Sequence, residues 1–203
     1  SKGNGRVKMF SKFIDDETFY GKEYANDKFP NTSYYISFRD CTFTNIDFSN
    51  SDLEKIDFKS CKFKNCDFRN ANFSNNGIKE LTFINCNLLG IDFSSSSLID
   101  STINDSNLDY SNFSLVKFNN FKFKNCSLKN SSFNEVKLKK VVFNHCNLCN
   151  AEFLHTSLDK IKLNTCEINS IKVSLEDLRG VIVNMNQALD LSLLLGIKIE
   201  ECD

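Results

Sequence analysis

A five-residue register runs through most of the chain. Starting at Phe38 and stepping by five, every position as far as Val183 holds a large apolar residue, thirty in succession without a slip. An α-helix has 3.6 residues per turn and a strand has a period of two, so neither produces this spacing. After a shift of one residue the register continues towards the N-terminus through Ile14, Phe19, Tyr24, Phe29 and Tyr34. The chain is therefore a repeat protein.

The residue two positions before each large residue is mostly small or apolar, as Cys61 is before Phe63 and Cys66 before Phe68. In an extended chain, residues two apart share a face, so both point inward and the residue between them points outward. Because five is odd, this alternation holds only if the backbone turns a corner in every repeat. Asn, Asp, Ser and Gly cluster in the two residues after the large one, which suits turns. The sequence predicts a coil with a corner every five residues.

Residues taken every twenty positions are much more alike than chance allows. Three such columns are Cys66, Cys86, Cys126, Cys146 and Cys166; Phe73, Phe93, Phe113, Phe133 and Phe153; and Asn45, Asn65, Asn85 and Asn125. A three-sided coil of fifteen residues per turn would scatter all three columns. We therefore predict a four-sided solenoid with twenty residues per turn and turns stacked about 4.8 Å apart.

The units CDFRN (66–70), ANFSN (71–75), SNLDY (106–110) and SNFSL (111–115) resemble the A(D/N)LXX units of the pentapeptide-repeat family. The resemblance covers residues 36 to about 183 and implies an all-β fold, a right-handed quadrilateral parallel β-helix. The sequence departs from the pattern, at or beside inward positions, at Asn76, Gly77, Phe121 and Glu176. We expect bulges at Asn76 and Gly77 and fading of the coil at Glu176.

Nine cysteines could indicate a disulfide framework or a metal site, but seven of them occupy inward positions of the repeat. Stacked inward cysteines would have parallel Cβ atoms about 4.8 Å apart, beyond the roughly 3.5–4.5 Å of a disulfide. We expect all seven to be reduced and to pack as small hydrophobes. The CxxC in HCNLC (145–149) places Cys146 inward and Cys149 outward, so the two thiols diverge and no zinc or redox site is expected.

The chain shows no signature of an enzyme. A P-loop, GxGxxG and nucleophile elbow are all missing from the sequence, and His145 and His155 fall on different sides of the coil without a nucleophile beside them. A filled solenoid also offers no cleft. We expect a non-enzymatic protein with no catalytic residue, cofactor, metal or small-molecule substrate. No apolar run reaches the roughly 18 residues of a membrane span and no signal peptide opens the chain, so we expect a cytoplasmic protein.

The net charge of −1 conceals sides of opposite sign. The sides that contain Phe48 and Leu53 are acidic, and the other two are rich in lysine. Like charges stacked about 4.8 Å apart repel each other, which favours a partner for the acidic sides. The candidate partner-binding residues are Asp47, Asp52, Glu54, Asp67, Asp92, Asp109, Glu135 and Glu152. Direct DNA binding through the lysine-rich sides is a less favoured interpretation, which salt-independent association would exclude.

The last twenty residues leave the register. Asn184 and Gln187 predict a capping box, followed by a helix over 185–195, a C-cap at Gly196 and a short strand over 197–199. We expect this helix either to cap the open coil or to pair with a second copy. The apolar residues that surround it are Met185, Leu189, Leu191, Leu193, Leu194 and Leu195. The predicted division is a tag remnant or disordered arm (1–8), the β-helix (9–183) and a capping and dimerisation tail (184–203).

This tail, a leucine run followed by LGIKI, is similar to the ends of the Qnr-type quinolone-resistance proteins. The resemblance implies a homodimer through the C-terminal helix that imitates duplex DNA, binds DNA gyrase and topoisomerase IV, and protects them from fluoroquinolones. A projecting loop, if present, would lie between Tyr110 and Phe121. The alternative is a scaffold that binds another protein. Its contacts would be the outward apolar residues Ile84, Leu89, Ile99, Leu115 and Leu154.

Overall fold

The computed structural model describes Phe10 and residues 13–200. Over most of this length the backbone winds into a coil whose turns pair as parallel strands in one eleven-stranded sheet. The strands are β1 (Glu17–Tyr20), β2 (Glu23–Ala25), β3 (Ile36–Arg39), β4 (Thr42–Thr44), β5 (Ile56–Lys59), β6 (Lys62–Lys64), β7 (Gly77–Lys79), β8 (Thr82–Ile84), β9 (Ser97–Asn104), β10 (Lys117–Lys124) and β11 (Lys137–Asn144). The predicted all-β parallel β-helix is confirmed.

Each regular turn of the coil contains twenty residues. Phe38 pairs with Phe58, and Phe63 with Phe83. The first turn is one residue shorter, since Phe19 pairs with Phe38. These pairs confirm the predicted turn length and the one-residue shift near the N-terminus. The shifted register holds for Tyr24 and Phe29, which are buried, but is wrong for the exposed Ile14 and Tyr34.

The four sides of the coil differ in how they pair. We number them by their first regular repeat, and each recurs every twenty residues: side 1 (36–40), side 2 (41–45), side 3 (46–50) and side 4 (51–55). All eleven strands lie on sides 1 and 2, where β9, β10 and β11 each run through the corner between them. Sides 3 and 4 pair through isolated bridges, such as Asp47 with Asp67 and Asp52 with Asn72.

A residue in the left-handed backbone conformation stands at almost every corner. Asn65 and Asn85 have φ of 53° and 52°, and the same conformation recurs every five residues along the coil. Asparagine tolerates this region because its short polar side chain forms local hydrogen bonds. The Asn85 side-chain amide donates to Oδ1 of Asn65, 2.8 Å away in the preceding turn. The Asn, Asp and Ser residues after each large residue therefore form the predicted corners.

Phenylalanine rings fill the interior. Rings on the same side of successive turns lie parallel, as Phe48 and Phe68 do with centroids 4.5 Å apart and planes 2° apart. Rings on adjacent sides of one turn meet edge to face, as Phe63 and Phe68 do at 5.2 Å and 81°. Both arrangements are favourable for aromatic pairs. The centre of the coil is therefore solid and leaves no channel along these turns.

The small inward residues satisfy backbone carbonyls that the coil would otherwise leave buried and unpaired. The Cys126 thiol donates to the Ile103 carbonyl at 3.3 Å, and the Ser96 hydroxyl donates to the Phe73 carbonyl at 2.9 Å. All eight cysteines among the described residues are free, so the seven inward ones are reduced as predicted. Burial raises the pKa of the Cys61 thiol to about 12, which keeps it a protonated donor.

The departures from the repeat have local effects. Between β5 and β7 the ladder shrinks to the pair Lys59–Lys79, and the Asn76 side chain donates to the Leu53 carbonyl at 3.0 Å. The offset stays at twenty residues, so the ladder is interrupted there without the inserted residue that a bulge requires. Phe121 is buried within β10. The coil loses regularity at a 3-10 turn over Leu175–Leu178, as expected around Glu176.

Helix α1 (Met185–Ser192) follows the coil, with a 3-10 turn over Leu193–Leu195 and a left-handed Gly196. The predicted capping box is present, because the Gln187 N–H donates to Oδ1 of Asn184 at 3.0 Å and the Asn184 N–H donates to Oε1 of Gln187 at 2.8 Å. The predicted strand over 197–199 is wrong. This segment is irregular, since it has no neighbouring strand to pair with.

The side chain of Gln187 closes the coil. It is 5% exposed, and its amide donates to the carbonyls of Leu163 and Cys166 at 2.8 and 2.7 Å. These acceptors belong to the last regular turn, so the helix satisfies part of the open end. This contact is consistent with the capping role predicted for the tail, which stays a prediction. The arm predicted over residues 1–8 lies outside the described residues.

Leu115 offers a test of corner strain. Its φ is 63°, a costly conformation for leucine, and its side chain is 51% exposed. We expect Leu115→Asn to raise the free energy of unfolding by about 0.5–1 kcal/mol, because Asn adopts the left-handed region with less strain. Urea denaturation measures the change. Leu154→Asn is the control, since Leu154 is exposed but is not left-handed. An equal gain at both positions would contradict corner strain as the cause.

Candidate partner-binding surface

The eight candidate acidic residues all lie on sides 3 and 4, as the register predicts. Asp47 bridges to Asp67 in the next turn of side 3. On side 4, Asn72 bridges to Asp52 on one side and to Asp92 on the other, which places the two carboxylates two turns, or about 10 Å, apart. Glu54 and Glu135 follow large residues on side 4, Asp109 does so on side 3, and Glu152 continues the column of Asp52.

Several of these carboxylates also shape the backbone. The N–H of Ser49 donates to Oδ1 of Asp47 at 2.9 Å, and the N–H of Ser94 donates to Oδ1 of Asp92 at 2.8 Å. Asp52 and Asp67 accept from the backbone in the same way. Asn72, in the same column as Asp52, accepts from Ser74 at 3.0 Å. These aspartates therefore form side-chain turns that asparagine also forms, a structural role that the analysis of charge alone missed.

Four of the eight acidic residues already have a cation. The distances between charged atoms are 3.7 Å for Asp47–Lys28, 2.6 Å for Asp67–Arg69, 3.6 Å for Asp109–Lys129 and 2.6 Å for Glu152–Lys172. Hydrogen bonds from Lys172 and then Asn134 lower the pKa of Glu152. In each pair the carboxylate is half-buried and the cation is exposed. Ion pairs at a protein surface contribute roughly 0–1 kcal/mol.

The other four, Asp52, Glu54, Asp92 and Glu135, lie on side 4. Within the described part of the chain no lysine or arginine reaches them at ion-pair distance. Asp52, Glu54 and Glu135 are exposed and Asp92 is half-buried. Among the described residues, the hydrogen-bond donor to Glu54 is neutral: it is the Asn75 amide, at 3.0 Å. Side 4 thus carries four carboxylates that form no ion pair with the described part of the chain.

The C-terminal helix presents most of its apolar residues to solvent. Exposed fractions are 81% for Met185, 48% for Leu189, 60% for Leu193, 44% for Leu194 and 61% for Leu195. Leu191 differs, since it packs against the core. A groove of about 380 Å³ beside the helix is lined by Leu175, Leu178, Arg179, Val183, Ala188, Leu191, Ser192 and Leu195. The tail therefore leaves an uncovered apolar surface at one end of the coil.

The other motifs form no site. Cys146 is buried and Cys149 is half-buried on an outward position, so their thiols diverge. His145 and His155 stand at corners, and no cluster of His, Cys, Asp and Glu within residues 13–200 could hold a metal. The offset of twenty residues holds on both sides of Lys117, so no loop projects between Tyr110 and Phe121. Among the described residues, no helix has the length and hydrophobicity of a membrane span.

The outward apolar residues of the alternative interpretation divide into two groups. Leu115 and Leu154 are 51% and 38% exposed, whereas Ile84, Leu89 and Ile99 are half-buried between neighbouring turns. Tyr110, which the sequence analysis did not select, is 65% exposed at a corner next to side 4. Its position after a large residue is the signal that could have identified it.

Comparison with known proteins gives one family. A model described as the pentapeptide repeat region matches residues 36–113, 56–130 and 116–193. A trypsin-treated variant of QnrB1, a plasmid-mediated fluoroquinolone resistance protein, is 21% identical, with 91% of this chain and 100% of that chain covered and a TM-score of 0.38. HetL from the cyanobacterium Nostoc sp. strain PCC 7120 is 12% identical, with 80% and 87% covered and a TM-score of 0.27. No curated protein matches.

The two roles of Asp92 can be separated by substitution. We expect Asp92→Ala to lower the free energy of unfolding by about 0.5–1.5 kcal/mol, because the Ser94 N–H loses its acceptor. Asp92→Asn keeps an acceptor in the same place and should change stability by less than about 0.5 kcal/mol. Urea denaturation of both variants measures this. Equal losses for Ala and Asn would show that the charge, rather than the turn, stabilises this position.

Proposed function

Because this chain belongs to the pentapeptide-repeat family, we propose that it is a DNA-mimicking protein that binds bacterial type II topoisomerases. DNA gyrase and topoisomerase IV would be the partners, and binding would protect them from fluoroquinolones or related inhibitors. The similarity of the leucine run and LGIKI tail to those of Qnr-type proteins supports the choice of partner. A protein with this function works by occupying a surface and needs no catalytic group.

The observation that carries the proposal is the unneutralised negative charge of side 4. A topoisomerase surface that holds DNA is cationic, because it must neutralise phosphates. Carboxylates with no internal cation present their full charge to such a surface, so Asp52, Glu54, Asp92 and Glu135 are the primary contacts. Asp47, Asp67, Asp109 and Glu152 would contribute by exchanging their weak internal pairs for cations of the enzyme.

The charge of side 4 is much sparser than that of duplex DNA, which carries one charge per roughly 1.7 Å of axis. Asp52 and Asp92 are two turns, or about 10 Å, apart. Affinity in the proposed complex therefore depends on a few well-placed ion pairs and on the fit of a rigid surface. Charge complementarity would mainly steer association and determine the orientation of the complex.

We also propose a homodimer through the C-terminal helix. Gln187 satisfies carbonyls at the end of the coil, yet five large apolar side chains of the tail remain exposed beside an apolar groove. A second copy presents the same residues, so a two-fold interface can bury both sets together. The proposed dimerisation residues are Met185, Leu189, Leu191, Leu193, Leu194 and Leu195. Leu191 would act by supporting the helix against the core.

A scaffold that binds a different protein is the second candidate. It is favoured by the exposed Tyr110, Leu115 and Leu154 on and beside side 4. Tyrosine is enriched at protein interfaces, and these residues could form the apolar centre of one. The two candidates differ in what they need from side 4. The topoisomerase proposal depends on its carboxylates, and the scaffold on its apolar residues.

The proposed function is tested by a gyrase supercoiling assay with ciprofloxacin. We expect the protein to restore supercoiling, and the combined variant Asp52→Asn, Glu54→Gln, Asp92→Asn and Glu135→Gln to need at least about tenfold more protein for equal rescue. The reason is that removing a few interfacial charges costs about 1.4 kcal/mol or more in binding free energy. Asparagine preserves the turns at Asp52 and Asp92, so the fold should be retained.

A matched control neutralises four carboxylates on sides 1 and 2, with the substitutions Asp57→Asn, Glu80→Gln, Asp100→Asn and Asp105→Asn. This variant has the same net charge as the first and should rescue gyrase like the unmodified protein. Absence of rescue by the unmodified protein would reject the topoisomerase proposal. Equal rescue by both variants would reject the assignment of side 4.

The proposed dimer is tested by the variant Leu193→Glu with Leu195→Glu. We expect sedimentation to give twice the 23.2 kDa chain mass for the unmodified protein and a single chain mass for the variant. The added carboxylates would be buried without partners in the interface, which is strongly unfavourable. Leu154→Glu places the same group on exposed side 4 and should leave the dimer intact. A variant that retains the dimer mass would contradict the proposed interface.

A further inference from the structure

Six lysines are concentrated on two neighbouring strands, β10 and β11. They are Lys117, Lys122, Lys124, Lys137, Lys139 and Lys140, all exposed on sides 1 and 2. Lys117 pairs directly with Lys137 across the ladder. None of the six is at ion-pair distance from a carboxylate in residues 13–200. Like charges directly opposite each other in a sheet destabilise it, so this surface is suited to an anion from outside the chain.

The acidic residues of the neighbouring turns do not pair with this group. Asp159, one turn after Lys139 in the same column, pairs instead with Lys160 at 3.9 Å. Asp100 and Asp105 stand at corners of the preceding turn and accept hydrogen bonds from the side-chain amides of Asn120 and Asn125, each at 2.8 Å. Glu135, at the corner before β11, belongs to side 4. The described carboxylates therefore leave the positive charge of these six lysines unpaired.

The chemistry of the surface favours phosphates over a protein partner. It contains no exposed aromatic residue or arginine, and its large exposed apolar side chain is Val142. Protein interfaces generally have an apolar centre with tyrosine, tryptophan or arginine, and this surface has none of these. Lysines act as point charges towards phosphates without reading sequence. These lysines stand on a hydrogen-bonded strand ladder, so binding of a phosphate backbone would have to order only the lysine side chains.

A second row of lysines lies at a distance that matches a duplex. Lys62 and Lys64 on β6 occupy the same columns as Lys122 and Lys124, three turns earlier. Three turns span about 14 Å. The major groove of DNA is about 12 Å wide. The two intervening turns present uncharged residues in these columns, namely Thr82, Ile84, Thr102 and Asn104.

We propose that sides 1 and 2 bind the phosphate backbone of duplex DNA, with the lysines of β10 and β11 on one strand and Lys62 and Lys64 on the other. The uncharged residues of the two intervening turns would face the groove. The sequence alone made direct DNA binding a less favoured interpretation, and the grouping of the lysines on the strands is what supports it. It goes beyond the topoisomerase proposal and does not depend on it, since the two use different sides of the coil.

The test is fluorescence anisotropy of a short labelled duplex as salt rises from about 50 to 200 mM. Each phosphate contact contributes about −0.9 to the slope of log affinity against log salt, so we expect a slope of about −5 to −7. The variant Lys117→Gln, Lys122→Gln and Lys139→Gln should reduce the magnitude of the slope by about three. These lysines are exposed and outward, and circular dichroism verifies that the variant is folded.

The control variant Lys55→Gln, Lys129→Gln and Lys172→Gln removes the same charge from sides 3 and 4 and should leave the slope within about one of the original. No association with the duplex at about 50 mM salt would overturn the proposal, and so would equal effects of the two variants. Polyglutamate that competes as well as DNA at equal charge, or preferential binding to vesicles containing phosphatidylserine, would also reject duplex DNA as the ligand. Rescue of gyrase should be unchanged by the variant of Lys117, Lys122 and Lys139, so each proposal fails separately.

Discussion

The corner residue that adopts the left-handed backbone conformation is the feature on which the rest of this molecule depends. It recurs at almost every fifth residue, and four corners return the chain to the same column after twenty. Each turn can then donate its backbone N–H groups to the next, as Asn65 does to Ile84 and Phe68 to Asn87. Stacked phenylalanine rings and the thiol and hydroxyl donors beneath them follow from this alignment. Burial of the rings provides the hydrophobic stabilisation that offsets strain at corners such as Leu115.

Because the register does not slip between β3 and the last turns, a residue's position in the sequence determines its side. Charge is therefore sorted without any change to the core. Asp and Asn form the same side-chain turn before the large residues of sides 3 and 4, as Asp92 and Asn72 show. Exchange between these two residues alters the surface charge at little structural cost. The acidic and basic surfaces proposed here can thus differ from one such coil to another while the fold stays the same.

Most of the fold could be predicted from spacing, because each repeat makes the same contacts as its neighbours. The twenty-residue turn, the reduced inward cysteines and the capping box at Asn184 all rest on such local rules. The irregular structure of residues 197–199 could not be predicted in this way, because a strand forms only beside a partner that the local sequence does not specify. The sign of each side was also predictable from spacing. Which carboxylates had internal cations, such as Glu152 with Lys172, depended on side-chain reach across turns.

The central claim is that twenty residues make one turn and that identical columns stack above one another. Electron double resonance between nitroxides at Asn45→Cys and Thr165→Cys tests it directly, since both positions are exposed corners in one column. Cys149 and Cys202 would be replaced by serine, and labelled chains diluted with unlabelled ones. Six turns predict a separation of about 29 Å. A separation of about 38 Å, as eight turns of fifteen residues would give, would contradict the architecture and both surfaces derived from it.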